Sequence, residues 1–551
     1  MTGSFRIALA QLDPVMGDIA GNLKRARDAR ARAAKADAIL FSELFITGYP
    51  PEDLVLKHAL QADVRQAIEA LAADTQSGPA ILIGAPWAEE GRLYNAMLLL
   101  DGGRIAGRTL KHDLPNYGVF DEKRVFAAGP LPGPLNVRGV RLGVPICEDI
   151  WTEEVSECLT ETGAEILAVP NGSPFEAGKE DLRLSLAVAR VTETGLPLIY
   201  LNQVGGQDEL VFAGASFVLN ADRSLALAMP SWREEVEISE WSRAAAGGWT
   251  CATGRRTGEE SRESAVYHAM MLGLRDYVNK NRFPGAVLGL SGGIDSALSA
   301  AVATDALGPS RVRCVMLPFR YTSPESLADA DECARRLGVV YETIEIERLV
   351  KSAGETLSPL FADRAPDTTE ENIQSRARGL ILMAISNKFG PMLLTTGNKS
   401  EMSVGYATLY GDMCGGFNVL KDVYKSEVFR LARWRNEYVP AGALGPGGEV
   451  IPDRIIEKPP TAELRAGQCD QDTLPPYAIL DGILECLVEK EMSVADTAAK
   501  GFDLPTVKRV EQLLYRSEYK RRQAPPGVKI SPRNFGRDRR YPISNAFRDA
   551  R

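Results

Sequence analysis

Up to about residue 240 the chain repeats one pattern: a short aliphatic or β-branched run, a Gly/Pro turn, then a stretch of helical composition. The runs "RIALAQLD", "AILFSE", "AILIGA", "NAMLLLD", "RLGVPICED", "EILAVPN" and "PLIYLNQ" predict strands. "NLKRARDARARAAKA" at 22–36 and "EDLRLSLAVARVTET" at 180–194 predict helices, whereas "YNAMLLLDGGRIAGRTLKH" predicts a hairpin turning at its two glycines. Parallel units and a hairpin therefore share one sheet system, in an α/β layered domain. Residues 243–258, "RAAAGGWTCATGRRTG", interrupt the pattern with small residues and glycines, which predicts an interdomain connection. The expected division is a domain over 1–242, a linker over 243–260 and a second domain over 261–551.

The second half begins with a helical stretch, "SRESAVYHAMMLGLRDYVNKN", and continues as strand "AVLGLS", helix "ALSAAVATDAL", strand "VRCVMLP", a further helix and strand "YETIEI". Repeated strand-helix-strand units predict a doubly wound parallel sheet with helices on both faces. The stretch from 441 to 477 is rich in Pro, Gly and acids, and a connection of that length inside a domain is expected to be functional or mobile.

Composition narrows the class without naming a function. A chain of 551 residues at about 150 per domain allows two to four domains. Its 45% hydrophobic and 25% charged residues are ordinary for a soluble protein, and no segment approaches the roughly 18 apolar residues of a membrane span. "MTGSFRIALAQLD" enters a strand-like alternation without the features of a secretory signal, so a cytoplasmic protein with no membrane partner is expected. The eight cysteines form no Cys-x-x-Cys pair, which fits reduced thiols better than a disulfide framework or a zinc cluster. A net charge of -9 argues against nucleic acid as a partner. The basic stretch "RRQAPPGVKISPRNFGRDRR" at 521–540 stands apart, either as a solvated face or as a phosphate or substrate contact through Lys529.

Two places carry candidate chemistry. "SGGID", between a strand and a helix, offers backbone N–H groups and the hydroxyls of Ser291 and Ser296 to an anion, although Asp295 or Ser296 can equally be a simple helix cap. Asp295 repels a phosphate unless a divalent cation joins them, so magnesium is the expected companion. "MLLTTGNKSEMSVGYATLYGD" brings Lys399, Glu401 and Asp412 to the end of another strand, where an open parallel sheet binds ligands. In the first half, "RLGVPICEDIW" sets Cys147 just past a strand, and Glu43 and Lys111 end two others. A thiol nucleophile needs a proton acceptor and a stabiliser for the oxyanion it creates; a buried structural cysteine and two surface charges are the plainer reading. His58, His112 and His268 lie in no convincing motif, which disfavours a Cys-His-Glu glutaminase, and the Met1-Thr2 start excludes an N-terminal cysteine nucleophile.

Taken in order, "SGGIDSAL", "ENIQSRARG", "TTGNKSEMSVGYATLYGD", "KDVYKSEV" and "EKPPTAEL" resemble the NAD synthetase family of ATP pyrophosphatases, whose fold is the adenine nucleotide alpha hydrolase-like (PP-loop) sheet. The resemblance implies that Ser291, Gly292, Gly293, Asp295, Ser296 and Thr396 meet ATP, with Asp295 and Glu401 holding Mg2+. It further implies that Asn372, Arg376, Lys399, Asp412, Lys425 and Lys529 meet deamido-NAD. The segments around Glu43, Lys111 and Cys147 resemble the nitrilase superfamily, an αββα sandwich, and imply a general base, an oxyanion-stabilising cation and a nucleophile, with Glu122 as a further acid. For its glutaminase branch, Tyr117, Glu148, Trp151, Ser173 and Lys179 match glutamine-holding positions. Lysine is a weaker bidentate carboxylate partner at 179 than the arginine of relatives.

Together the two resemblances imply a glutamine-dependent NAD synthetase that amidates deamido-NAD with glutamine nitrogen at the expense of ATP. An ammonia tunnel and a homo-oligomer are expected with it. The alternatives are an ATP pyrophosphatase amidating another carboxylate, and a nucleotide-responsive binding protein, which the presence of Glu43, Lys111, Cys147, Asp295 and Glu401 disfavours.

Overall fold

The computed structural model describes residues 3–243, 247–258 and 260–549. Two units form, Met1–Glu260 and Ser261–Arg551. In the first, strand alternation sorts side chains into layers. The strands are β1 (Ser4–Gln11), β2 (Ala38–Phe41), β3 (Ala80–Glu89), β4 (Arg92–Asp101), β5 (Arg104–Leu110), β6 (Leu135–Val137), β7 (Val140–Gly143), β8 (Ile166–Asn171), β9 (Leu198–Asn202), β10 (Val204–Gln207), β11 (Leu210–Ala213), β12 (Phe217–Leu219), β13 (Leu225–Ala228), β14 (Glu235–Arg243) and β15 (Trp249–Cys251). The helices are α1 (Ile19–Arg32), α2 (His58–Ala73), α3 (Glu154–Glu161) and α4 (Lys179–Thr194).

One sheet runs β15-β14-β1-β2-β3-β4-β5 and the other β13-β12-β9-β8-β7-β6, with β10 and β11 as a separate ribbon. Ile7, Leu9, Leu40 and Leu82 point between the sheets, where they meet Leu142, Ile166, Ala168 and Ile199. Their neighbours Ala8, Ala10, Ile39 and Phe41 point the other way, toward Ala26 and Ala29 of α1 and Ile68 and Leu71 of α2. On the second sheet, Leu167, Val169, Leu198 and Tyr200 pack against α3 and α4 through Val155, Leu159, Ala187 and Val191. The period of two thus yields four layers, αββα. The expected β4-β5 hairpin turns at Gly102 and Gly103, whose φ of 62° and 79° meets the demand of a tight two-residue turn. The stretch expected to be a linker holds an element instead: β15 extends the first sheet along β14, with Trp249 and Cys251 buried in the inter-sheet core.

The second unit adds α5 (Arg262–Lys280), β16 (Ala286–Gly289), α6 (Ile294–Leu307), β17 (Val312–Met316), α7 (Pro324–Leu337), β18 (Val340–Thr343), α8 (Glu347–Phe361), α9 (Thr368–Phe389), β19 (Met392–Thr395), α10 (Lys399–Val404), β20 (Phe417–Asn418) and α11 (Lys425–Glu437). Its sheet runs β18-β17-β16-β19-β20, and every pair is parallel. The chain steps outward from β16 in one direction and then crosses to β19, so right-handed crossovers put helices on both faces. The reversal opens a crevice at the carboxyl ends of β16 and β19.

The 441–477 stretch is anchored rather than loose. Glu463 accepts from the hydroxyls of Ser323 (2.7 Å) and Ser326 (2.8 Å) at the start of α7, and Gln374 of α9 donates to the Leu464 carbonyl. The basic 521–540 stretch is a solvated face only in part: Arg521, Lys529 and Arg539 are buried in ion pairs with Glu518 and Asp538, whereas Arg522 and Arg540 are exposed. Among the described residues no helix is long and apolar enough to cross a membrane.

Candidate active sites

In the first unit, Glu43 sits two residues past β2 and Lys111 one past β5, both fully buried. The Lys111 ammonium donates to Glu43 (2.7 Å) and to both oxygens of Glu122 (3.0 and 2.9 Å). Burial opposes its charge, but Glu122 and Glu43 hold its pKa well above the lysine value. Burial pushes Glu122 up to about 7 against the pull of Lys111, with Glu43 adding to the rise. Cys147 opens a single helical turn after β7, with a left-handed φ of 48° that a side chain rarely adopts. Asp149 fixes this elbow: its carboxylate accepts from the backbone N–H groups of Ile146, His112 and Asp113, tying it to the loop after β5. Burial raises the Cys147 thiol pKa strongly, Glu43 adds to the rise and Lys111 opposes it, so all three share one electrostatic site.

Sequence reasoning missed the groups that hold the two carboxylates, Glu43 and Glu122. Asn95 of β4 donates to Glu43 (2.7 Å), the Gly172 N–H donates to its other oxygen (2.9 Å), and the Tyr49 hydroxyl donates to Glu122 (2.9 Å). Asn95 was visible as the amide at the head of the apolar run "NAMLLLD". The Tyr117 hydroxyl donates to both oxygens of Glu148 (2.9 and 3.1 Å), and with Trp151 these two line an open pocket. Lys179, at the start of α4, stands 5.8 Å from the Phe120 ring centre and 5.9 Å from that of Trp151. Ser173 is buried, gripped by Asn202 through both its N–H and its carbonyl.

In the second unit, Ser291 and Ser296 hydrogen-bond each other (3.1 Å) and line a pocket with Gly293, Asp295, Thr396 and Glu401. Lys425 lies between the two acids, bonded to Asp295 and to Glu401 (3.1 Å). Burial raises Glu401 to about 7, Lys425 opposes this, and Asp295 and Asp470 add to it. Lys425 keeps its charge although burial works against it, because Asp295 and Glu401 face it. Asp412, which also lines the pocket, is pushed up to about 6 by burial while the Thr408 N–H holds its carboxylate at 2.8 Å. Asp470 and Tyr477 escaped the sequence reading; the Tyr477 hydroxyl donates to Asp470 at 2.9 Å and reaches Glu401 at 3.5 Å. Two hard carboxylates already gathered on one cation suit magnesium, with further ligands left to phosphate and water, since no cluster of three or more ligating side chains occurs among the described residues.

Five expected contacts do not line that pocket. Lys399 is fully buried and paired with Asp422 and Glu489, and Lys529 is buried against Asp538, so neither lines the pocket. Gly292 faces α7: a Cβ there would meet the Ser326 carbonyl at 2.4 Å, at a φ of 76°. Asn372 accepts from Thr408, while Arg376 donates to the Leu409 carbonyl and is otherwise exposed.

Residues 6–250 match the carbon-nitrogen hydrolase family model, and residues 266–524 match that of NAD synthase. The glutamine-dependent NAD(+) synthetase of Rhodobacter capsulatus is 54% identical over 551 residues, which is 100% of both chains. The chain belongs to the glutamine-dependent NAD(+) synthetase family. The family member of Thermotoga maritima is 43% identical, over 99% of each chain. Among solved structures, the glutamine-dependent NAD+ synthetase of Acinetobacter baumannii in complex with adenosine diphosphate is 42% identical and superposes over 98% of each chain with a TM-score of 0.79. That of Cytophaga hutchinsonii, 23% identical over 98% of each chain with a TM-score of 0.83, shares the fold.

Proposed function

We propose that the first unit hydrolyses glutamine and that the second uses ATP and the released nitrogen to convert deamido-NAD to NAD. The observation that carries the first half is the buried Glu43–Lys111–Glu122 cluster beside a thiol whose raised pKa keeps it protonated at rest. Such a thiol needs a base, and Glu43 takes its proton. The sulfur then bonds to the carboxamide carbon, the carbonyl electrons move to oxygen, and the Lys111 ammonium faces the charge that forms. The proton passes from Glu43 to the departing nitrogen; ammonia leaves with the electrons of the C–N bond, and a thioester remains. Water, losing a proton to Glu43, releases glutamate and restores the thiol. Tyr117, Glu148, Trp151, Ser173 and Lys179 hold the amino-acid end, the acid toward its ammonium and the lysine toward its carboxylate.

In the second unit the Ser291–Ser296 loop and Thr396 receive the triphosphate. Magnesium held by Asp295 and Glu401 supplies, when bound, the positive charge that phosphate oxygens need beside an acidic loop. The nicotinate carboxylate bonds to the α-phosphorus and pyrophosphate leaves with the P–O electrons; ammonia then bonds to the acyl carbon, AMP leaves with the C–O electrons, and the nitrogen gives one proton to water to leave the neutral amide. Asp412 and Lys425 line the pocket where that carboxylate lies. Arg376, with its exposed guanidinium on α9, and Asn372 meet more distant parts of the dinucleotide.

In neutral water free ammonia is mostly ammonium, which has no lone pair for attack, so the nitrogen is handed on without release. Self-association belongs to the same reading, supported by Leu360 of α8 and Leu380 and Phe389 of α9, which stand exposed. The test is turnover of glutamine labelled with nitrogen-15 at its amide, with ATP, deamido-NAD and excess unlabelled ammonium. Mass spectrometry should find the label in the dinucleotide amide. An unlabelled product refutes the transfer, and full dilution by ammonium refutes the protected hand-over.

A further inference from the structure

Asn398 occupies a position that neither the motif reading nor the pocket lining singles out. It is fully buried and precedes α10, whose first turn carries Glu401. Its amide nitrogen donates to Oδ1 of Asp295 at 2.9 Å, and its amide oxygen accepts from the backbone N–H of Glu401 at 3.0 Å. One planar group thereby joins the loop after β19 to the first turn of α6, and it spends one oxygen of Asp295 while leaving Oδ2 facing Lys425. The far end of α10 is also held: Lys520 donates to the Gly405 (2.8 Å) and Ala407 (2.6 Å) carbonyls, and Arg521 to that of Ser403 (2.6 Å). A helix of six residues clamped at both ends transmits a constraint at its cap to Glu401.

We infer that Asn398 is a positioning residue that sets the separation and orientation of the Asp295 and Glu401 carboxylates for a divalent cation; this rests on the reading of that pair as the metal-holding acids. Only a side chain that donates at one atom and accepts at another serves both ends. Aspartate keeps the acceptor and loses the donor; serine keeps the cap and loses the reach.

The test uses the full chain and Mn2+ as the probe, titrated by electron paramagnetic resonance in the presence of a non-hydrolysable ATP analogue. N398S should keep the cap, and with it the unfolding temperature of the second unit and the rate of glutamine hydrolysis, while Mn2+ binds about 10- to 100-fold more weakly. Should N398S fail to fold, N398D carries the same test, since its carboxylate still accepts from the Glu401 N–H. Mn2+ affinity equal to or above that of the unmodified protein in the folded variant overturns the inference. An unmodified protein that takes up no Mn2+ with nucleotide overturns the metal reading itself, a result separate from the first because it appears before any substitution.

Discussion

Lys111 and Lys425 are both buried lysines set between two carboxylates, one pair in each unit, but their partners differ in access to solvent. The side chains of Glu43 and Glu122 are 0% and 7% exposed, whereas those of Asp295 and Glu401 are 17% and 16% exposed. The first cluster is closed on itself, and in the proposed reaction it meets a neutral carboxamide that brings no charge of its own. The second faces a pocket, where in the proposed reading its acids exchange the ammonium for a divalent cation. On the proposed function, burial of a charged triad serves chemistry in one unit and ligand exchange in the other.

The hardest way to break this comparison is to remove the sulfur. C147A should lower glutamine-supported synthesis by more than about a thousandfold and leave ammonia-supported synthesis measurable, because the second unit keeps every residue that lines its pocket. Rates with the two nitrogen sources, measured on one preparation, decide it; equal loss of both contradicts the division of labour.

The two lysines separate next. K111M strands two sealed carboxylates, a loss of about 3–5 kcal/mol for a broken buried pair, while the acids facing Lys425 can turn to water. Thermal unfolding should place K111M well below K425M, although both lose synthesis from glutamine. Equal destabilisation would mean that the second pocket is as dry as the first cluster.

These clusters mark where the sequence was legible. Glu43, Cys147, Asp295 and Glu401 each follow a strand whose apolar run is plain, Lys111 follows the second strand of a hairpin marked by two glycines, and strand ends are where an α/β sheet presents side chains. The four layers and the parallel sheet followed from periods of two and 3.6. What stayed hidden depends on three-dimensional partners. Lys399 lies in a motif beside Glu401, yet it points into a buried cluster with Asp422 and Glu489, a pairing spread over about ninety residues of chain that no local pattern announces. Lys529 has the same fate with Asp538. Asn95 and Asn398 look like an interrupted strand and an ordinary cap until the carboxylates they hold are seen. Residues 249–251 form a strand because β14 offers an open edge, which a Gly-rich composition conceals.

The smallest effect sharpens the comparison through pH. Glu122 titrates near 7 in the folded unit because burial outweighs the pull of Lys111, against about 4.3 in an unfolded chain. Between those values the folded state binds a proton that the unfolded state lacks, so the stability this group confers declines as pH rises from about 4 to about 7. Asp149, raised to about 6 by burial, acts in the same sense lower in the range. E122Q removes the Glu122 share across its whole span, so its unfolding temperature should fall less steeply than that of the unmodified protein, most cleanly between about pH 6 and 7, where Asp149 no longer contributes. Glu401 is raised to about 7 as well, but its acid faces a pocket, so adding Mg2+ with nucleotide should shift the pH response of the second unit and leave that of the first unchanged. Thermal unfolding across this pH range, with and without Mg2+ and nucleotide, reads both effects. A pH response of the first unit that moves with Mg2+ would show that Glu122 is as accessible as Glu401, and the contrast between a sealed and an open triad would be lost.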